Sequence, residues 1–289
     1  PTVDAMFEDS DCYDIVAIGD YYTRRGALAL RAVDAGKHVI VDKPLCTSLE
    51  ELDELRAKSR QAGLAVSCML NNRDSGQFRT VKRLLGEGAI GETQTINFMG
   101  QHPLNYGTRP QWYFEGGKHG GTINDIGIHA IDIIPWFSGQ SWDSVVAART
   151  WNTRLTEHPQ FQVGAQMMLS LSNGAGVLGD VSYLSPNSQG YSVPQYWRYT
   201  IHGNDGIIET GSNRDDLRMW RDGHDSVEVL ELDAGRPQGV YEDFLREITG
   251  DGGDIDLSSD QVFDSARAVL EVQKAADTGS FPTSIDTGE

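Results

Sequence analysis

Two carboxylates and a histidine on one short stretch could move a proton or bind a metal ion. Asp125, His129 and Asp132 are spaced i, i+4 and i+7, and a pair of glycines precedes them. Apolar residues recur at helical spacing in the same stretch, which predicts a helix beginning near Asn124. The three polar side chains would share one face of that helix. There, Asp125 could orient the His129 imidazole, and such a pair exchanges a proton near neutral pH.

Two other interpretations of this stretch stay open. Acidic residues in a first turn stabilise the helix dipole without any catalytic role, and His129 would then be a half-exposed surface group. Alternatively, the three side chains could ligate a metal ion, although no cluster of cysteines or histidines accompanies them in the sequence.

A lysine follows a short apolar run nearer the start of the chain. Residues His38–Val41 predict a buried strand, and Asp42, Lys43 and Pro44 come directly after it. Ligands of parallel α/β sheets lie at the carboxyl ends of the strands, so Lys43 is predicted to point into such a crevice. Pro44 favours an extended backbone at Lys43, which fixes the direction of the side chain. An isolated lysine in this place would more simply face water.

The elements around Lys43 alternate between strand and helix. They are joined by short loops, which predicts a parallel α/β layer with right-handed crossovers. The fold class expected for residues 1–72 is a partial Rossmann-type sheet. These residues would be the C-terminal half of a dinucleotide-binding domain, and the glycine-rich phosphate loop belongs to the half that is not in this sequence. Strands are predicted at 14–18, 38–41 and 64–69, and helices near 25–35 and 48–62.

The second predicted domain, residues 73–289, is α+β with an open, mainly antiparallel sheet. Alternating apolar residues flank Asn173-Gly174, which predicts a hairpin with a type I′ turn. Four more short strands follow, and two helices close the chain. The free face of such a sheet could be buried in a homo-oligomer, which we expect.

The composition limits the classes of partner. Acidic residues number 42 against 24 basic ones, for a net charge of −18 at pH 7. This charge disfavours nucleic acid and anionic membranes as partners. No apolar run approaches the roughly 18 residues of a membrane span. Three cysteines without a Cys-x-x-Cys spacing predict reduced thiols and a cytoplasmic location. An upstream export signal stays open because the chain begins on Pro1.

Three segments together resemble one enzyme family. AGKHVIVDKPL, residues 35–45, is similar to the end of the dinucleotide-binding domain of the glucose–fructose oxidoreductase, inositol dehydrogenase and rhizopine-catabolism (Gfo/Idh/MocA) family, whose Glu-Lys-Pro corresponds to Asp42-Lys43-Pro44. GGTINDIGIHAID, residues 120–132, resembles the family's second motif, Gly-Gly followed by Asp-x-x-x-His-x-x-Asp. The segment between them carries Arg73 at the family's characteristic arginine.

The resemblance implies an NAD- or NADP-dependent oxidoreductase acting on a hydroxyl of a sugar, polyol or related carbohydrate. Its implied catalytic set is Lys43, Asp125 and His129. His129 would take the hydroxyl proton and Lys43 would stabilise the developing alkoxide, while Asp125 would orient and balance charge. The nicotinamide would take the hydride.

Binding residues are also carried over by position. The substrate-binding set is Asp125 and His129, with Trp112 and Tyr113 from a long aromatic loop that could instead be a hydrophobic plug or a subunit contact. The chain departs from the family at Asp20-Tyr21, where an acid would repel a pyrophosphate unless Arg24 or Arg25 neutralises it. The cofactor-binding residues implied are Gly19, Tyr21, Asp42, Lys43, Asn71 and Arg73.

Three alternative functions follow from the same residues. An NAD-assisted glycosidase of this fold would borrow a hydride and return it. A non-catalytic sensor or corepressor would bind a sugar or dinucleotide, although a binding module has no need of all three of Lys43, Asp125 and His129. A metal-dependent enzyme would use Asp125, His129 and Asp132.

Overall fold

Three short parallel strands form the first sheet of the protein, whose computed structural model describes residues 2–8, 10–251 and 253–286. The strand order is β1-β2-β3, and both pairs are parallel, as predicted. Within the described residues β1 pairs only with β2, so its other edge is open. The elements of this part are α1 (Val3–Glu8), β1 (Ile15–Ile18), α2 (Tyr22–Asp34), β2 (His38–Val41), α3 (Leu49–Ala62) and β3 (Val66–Cys68).

Helix α2 begins at Tyr22, three residues before the predicted start at Arg25. The first turn of a helix has free N–H groups that need partners. Here the Thr23 N–H donates to the carbonyl of Lys118 at 3.3 Å, and the Thr23 hydroxyl donates to the carbonyl of Gly117 at 2.9 Å. A distant loop therefore completes the start of this helix, and no local sequence signal marks it.

A nine-stranded sheet forms the larger layer. Its strand order is β11-β10-β9-β8-β4-β7-β6-β5-β12. Strands β4 and β7 pair in parallel, and the other neighbouring strands described in this sheet pair antiparallel. The prediction of a mainly antiparallel sheet is confirmed. The strands are β4 (Thr93–Pro103), β5 (Trp142–Trp151), β6 (Gly164–Leu171), β7 (Gly176–Ser185), β8 (Arg198–Gly203), β9 (Gly206–Gly211), β10 (Asp216–Arg221), β11 (Glu228–Glu231) and β12 (Thr283–Ser284).

The hairpin between β6 and β7 is present, but its predicted turn type is wrong. A type I′ turn requires a positive φ at both central residues, and only Gly174 has one, at +85°. The Gly174 N–H donates to the Leu171 carbonyl at 2.8 Å, and the Leu171 N–H donates to Ala175 at 2.9 Å. This pattern is a type I turn followed by a left-handed glycine.

Helices cover one face of the large sheet and connect it to the first. They are α4 (Gly76–Gly86), a π-helical turn (Ile123–Gly127), α5 (Ile128–Ser138), α6 (Gly239–Thr249) and α7 (Ser259–Thr278). Helix α7 packs on β5 and also on β3, where the Ser259 hydroxyl accepts the Val66 N–H at 2.8 Å. Within the described residues, none of the helices combines the length and apolarity needed to cross a membrane.

A buried ion pair joins α5 and α7 to the segment between β3 and α4. Arg73 and Asp132 are 4% and 1% exposed, and their nitrogen and oxygen atoms approach to 2.6 and 3.1 Å. Ser265 on α7 donates to the same carboxylate at 2.8 Å, and Arg73 also donates to the Asp256 carbonyl. Arg73, implied by position as a cofactor contact, is thus enclosed in the helical layer, and Asp132 is bound to it.

We expect Arg73→Met to destabilise the fold because Asp132 would keep a buried charge without its cation. Removing one partner of a buried pair typically costs about 3–5 kcal/mol. The matched control is Arg83→Met, since Arg83 forms an exposed pair with Asp233 and such pairs contribute about 1 kcal/mol or less. The measurement is the free energy of unfolding in urea. An equal decrease of this free energy in the two variants would contradict a structural role for the buried pair.

Candidate active site

The Asp125 carboxylate is the centre of the site. It is 2% exposed, and the Lys43 ammonium, which follows β2, donates to its Oδ1 at 2.6 Å and to the Asp125 carbonyl at 2.8 Å. The hydroxyls of Tyr113 and Tyr183 both donate to Oδ2, the first at 2.5 Å. Burial raises the pKa of Asp125, but Lys43 and His119 outweigh it and hold that pKa well below its usual value. Asp125 is therefore a buried anion that fixes Lys43.

Asp125 and His129 do not form the pair that their spacing suggested. The first turn, Ile123–Gly127, is π-helical, and its wider bonding pattern removes the i, i+4 alignment of an α-helix. No hydrogen bond joins the two side chains within the described residues. Instead the His129 ring lies edge-on to Trp197, with ring centroids 5.3 Å apart. Its Nδ1 is buried and has no hydrogen-bond partner among the described residues.

His129 is uncharged at neutral pH. Burial, the Lys43 ammonium and His102 lower the pKa of His129 well below its usual value, and Asp125 only partly opposes them. The sequence left the direction of this shift undecided. A neutral imidazole can accept a proton or a hydrogen bond, which is what a general base requires.

A second histidine, His102, lies in an aromatic cluster beside His129. Its ring contacts Tyr191, Tyr196 and Trp197 at centroid distances of 5.4, 5.2 and 5.6 Å. Burial and the Lys43 charge lower the pKa of His102 to about 4. Trp197, 1% exposed, has a φ of +51°, a conformation that costs a bulky residue of the order of 1–3 kcal/mol and that clusters at functional sites.

Two tyrosines and a third histidine surround Asp125 on its other side. Burial, with the Asp125 charge, raises the pKa of Tyr113 and Tyr183 well above the usual range, so both hydroxyls stay protonated and donate. Their oxygens are 2.8 Å apart, and His119 Nε2 lies 3.1 Å from the Tyr183 hydroxyl. Tyr113, implied as a substrate contact, is therefore buried with its hydroxyl bound to Asp125.

The aromatic loop between β4 and the π-helical turn lies against the start of α2. The Trp112 ring is 5.2 Å from Tyr22 and 6.1 Å from Tyr21, and the Lys118 ammonium is 5.1 Å from the Tyr21 ring. Trp112 is half-buried in this contact. The loop thus joins the two sheets beside Lys43, which is closer to the plug interpretation than to a free substrate wall.

The other residues implied for the cofactor lie at the carboxyl ends of the parallel strands. Gly19 is exposed after β1, and Asp42 is 56% exposed and pairs with Arg25 at 3.2 Å. Asn71 is exposed after β3 and lines a cavity of about 360 Å³. The charge of Asp20 is paired with Arg24 at 3.0 Å, so the acid that departs from the family pattern is neutralised locally.

Within the residues that the structure describes, no group of three or more His, Cys, Asp and Glu side chains is arranged to hold a metal ion. Sequence reasoning missed five residues of the site, for which only weak signals exist. His119 directly precedes the two glycines, and Tyr183 is at an inward position of an alternating strand. The missed residues are His102, Arg109, His119, Tyr183 and Trp197.

We expect the stability of the protein to fall as the pH drops below about 6.5, the pKa of an unfolded histidine. The unfolded chain then binds a proton at His102, whereas the folded chain does not until about pH 4. The contribution of His102 to the free energy of unfolding is thus fully present above pH 6.5. Between pH 6.5 and pH 4 it falls by about 1.4 kcal/mol per pH unit. His129 adds a loss of the same sign.

The measurement is urea unfolding between pH 4 and 8. His102→Asn should reduce the slope of the free energy of unfolding against pH. Identical slopes in wild type and His102→Asn would contradict the buried, neutral state of His102.

Comparison with known proteins identifies the family. The model of an oxidoreductase family with an NAD-binding Rossmann fold matches residues 1–70, and the model of the Gfo/Idh/MocA C-terminal domain matches residues 78–209. A solved oxidoreductase structure from Thermotoga maritima is 28% identical, with a TM-score of 0.85 over 96% of this chain and 82% of that one.

Two curated relatives are dehydrogenases. Levoglucosan dehydrogenase of Pseudarthrobacter phenanthrenivorans is 24% identical over 238 residues, 74% of this chain and 60% of the relative. The NAD⁺-dependent scyllo-inositol 2-dehydrogenase of Bacillus subtilis is 27% identical over 203 residues, 70% of this chain and 56% of the relative. The chain thus spans less than two thirds of the length of these relatives. With both family models matched in order along the chain, the protein belongs to the Gfo/Idh/MocA family of oxidoreductases.

Proposed function

We propose that the protein is an NAD- or NADP-dependent oxidoreductase that transfers a hydride between the nicotinamide and a hydroxyl of a sugar, polyol or related carbohydrate. The observation that carries the proposal is the Lys43–Asp125 contact at 2.6 Å, at the carboxyl end of β2 and beside a neutral His129. The names of the two curated relatives, dehydrogenases of an anhydrosugar and an inositol, support the substrate class.

The chain's own residues fit the nicotinamide end of a dinucleotide. A Cβ added at Gly19 would meet no atom within 4 Å, so the surface beside this glycine at the carboxyl end of β1 is open. Asp42 and Asn71 are exposed at the ends of the neighbouring strands and offer polar groups to a ribose or a carboxamide. The nicotinamide, when bound, supplies the acceptor for the hydride.

The reacting oxygen would lie between Lys43 and His129. In alcohol oxidation His129, which is uncharged, accepts the hydroxyl proton. The Lys43 ammonium stabilises the negative charge that develops on the oxygen. Because Asp125 binds Lys43 and not His129, its role in this proposal is to hold the ammonium in place and to balance its charge. Tyr113 and Tyr183 position Asp125 in turn.

We expect Lys43→Ala to reduce kcat by about 10²–10³-fold, by analogy with the loss of an oxyanion donor, and His129→Ala by about 10²–10⁴-fold. Dinucleotide affinity should stay within a few-fold, since neither residue is proposed to hold the phosphates. The measurement is NADH or NADPH formation, with each cofactor supplied in turn, on a panel of inositols, hexoses and their phosphates. Lys82→Ala is the control for loss of a lysine remote from the crevice.

Near-native kcat in His129→Ala across that panel would refute His129 as the base. Product formation without net formation of NADH or NADPH would identify the borrowed-hydride glycosidase instead. Saturable dinucleotide binding without any turnover would favour the sensor.

The open face of the large sheet supports a second proposal, a homo-oligomer. Met99, Met168, Leu178 and Leu184 are each 37–46% exposed on this face. Part of it forms a groove of about 540 Å³. Apolar patches of this kind mark association surfaces, and a second copy presents the same apolar face.

We expect Met168→Glu to convert the oligomer to monomers because a carboxylate would be buried against apolar residues. Leu245→Glu is the matched control, since Leu245 is equally exposed, at 50%, but lies on α6 away from this face. Sedimentation velocity reports the state, and a wild-type protein that is monomeric at tens of micromolar would refute the oligomer.

A further inference from the structure

Arg109 packs on the rings of Tyr113 and Tyr183, whose hydroxyls bind Asp125 of the proposed site. Its guanidinium carbon is 4.4 Å from the centre of the Tyr113 ring and 5.6 Å from that of Tyr183. The hydroxyls of those two rings bind Asp125, which holds Lys43. Arg109 therefore lies on the same aromatic wall as the site, at the ring faces and not at the hydroxyl ends.

The Arg109 guanidinium has no carboxylate partner within the described residues. Its Nε donates to the Leu104 carbonyl at 2.8 Å, and Nη2 donates to the Pro103 carbonyl at 3.1 Å. Nη1 makes no hydrogen bond to any described residue. In a chain with 42 acidic and 24 basic residues, a half-buried arginine without an acid is unusual. Burial lowers the pKa of Arg109, but Tyr113, Tyr183 and Asp125 outweigh it and raise that pKa, so the side chain stays charged.

The local charge balance leaves one positive charge. Lys43 and Arg109 are cations and Asp125 is an anion, while His102 and His129 are uncharged at neutral pH. The chain as a whole carries −18, so an anionic sugar would be repelled by most of the surface. A cation beside the site reverses that effect locally.

We propose that Arg109 binds an anionic group of the substrate, a carboxylate or a phosphate, so that the natural substrate is a sugar acid or a sugar phosphate. This inference rests on the proposed function and names the substrate class of that same site. The reacting hydroxyl would lie between Lys43 and His129, and the anionic group would lie at the other end of the sugar, against Nη1 of Arg109. A guanidinium matches the geometry of both anions through paired N–H donors.

A purely structural role for Arg109 makes a different prediction. The two carbonyl bonds hold the start of the aromatic loop, and the guanidinium stacks on Tyr113. If that were its whole function, replacing Arg109 would weaken the binding of neutral and anionic sugars alike. The proposal requires an effect that depends on the charge of the ligand.

The first experiment measures binding and needs no turnover. Isothermal titration of the wild-type protein with D-glucuronate, D-glucose 6-phosphate and D-glucose compares two anions with a neutral sugar of the same ring. We expect at least one anion to bind more tightly than glucose. We expect Arg109→Gln to reduce the affinity for that anion by about 10- to 100-fold, the size of a lost charge-assisted hydrogen bond. The affinity for glucose should change by no more than about threefold.

Two further variants keep this test decisive. Arg109→Lys retains the charge and should recover part of the anion affinity, which shows that loss in Arg109→Gln is not misfolding. Arg154→Gln removes an exposed arginine elsewhere and should change nothing. Preference for glucuronate over the phosphate identifies a carboxylate, and the reverse identifies a phosphate. Equal affinity of the wild type for all three sugars overturns the inference, as does an equal loss for glucose and the anion in Arg109→Gln.

Kinetics separate this inference from the proposed function. Arg109→Gln should raise KM for the anionic substrate and reduce kcat/KM by the same factor of about 10 to 100, with the neutral analogue unaffected. Charge-selective binding without NADH or NADPH formation from any sugar would refute the oxidoreductase and leave Arg109 as an anion site. Turnover that is equally efficient with neutral and anionic sugars would refute the anion site and leave the oxidoreductase.

Discussion

The Asp125 carboxylate is enclosed almost completely, and an enclosed charge is stable only when its partners are complete. Those partners come from separate parts of the chain. Lys43 follows a strand of the small sheet, Tyr113 belongs to the aromatic loop, and Tyr183 lies on a strand of the large sheet. The anion can therefore be satisfied only when both sheets and the loop are docked together. The Lys43–Asp125 contact that balances the charge of Asp125 also ties the small sheet to the helical segment that carries His129.

Much of the architecture could be predicted because its signals are local. The apolar runs of β1 to β3 and the glycines that end their helices mark a parallel layer, and Lys43 directly follows β2 as its segment predicted. The pairing of Asp125 with His129 was wrong for a local reason as well. Spacing arguments assume an α-helix, and the π-helical turn at Ile123–Gly127 changes which side chains align. Such turns are rare and have no reliable sequence signal.

The residues that the sequence did not reveal are those defined by distant contacts. Tyr183 meets Asp125 across 58 positions, and Tyr113 meets Tyr183 across 70. The start of α2 is completed by carbonyl groups 94 and 95 residues further along the chain. That Arg109 bonds to carbonyl groups and to no carboxylate among the described residues is likewise a property of the tertiary structure. In each case the side chain looks ordinary in its own segment, and its role depends on a tertiary neighbour.

Helix α7 has a consequence for how the protein is made. It starts more than 190 positions after β3, yet Ser259 at its beginning accepts the Val66 N–H of that strand, and Arg60 on α3 pairs with Asp260 at 2.7 Å. Domains made early in synthesis usually fold before later ones emerge from the ribosome. Here the Val66 N–H of the third strand obtains its partner only from a helix that is synthesised after the whole large sheet. Until α7 has been synthesised, a backbone N–H of the third strand and the Arg60 side chain lack the partners that they have in the folded protein.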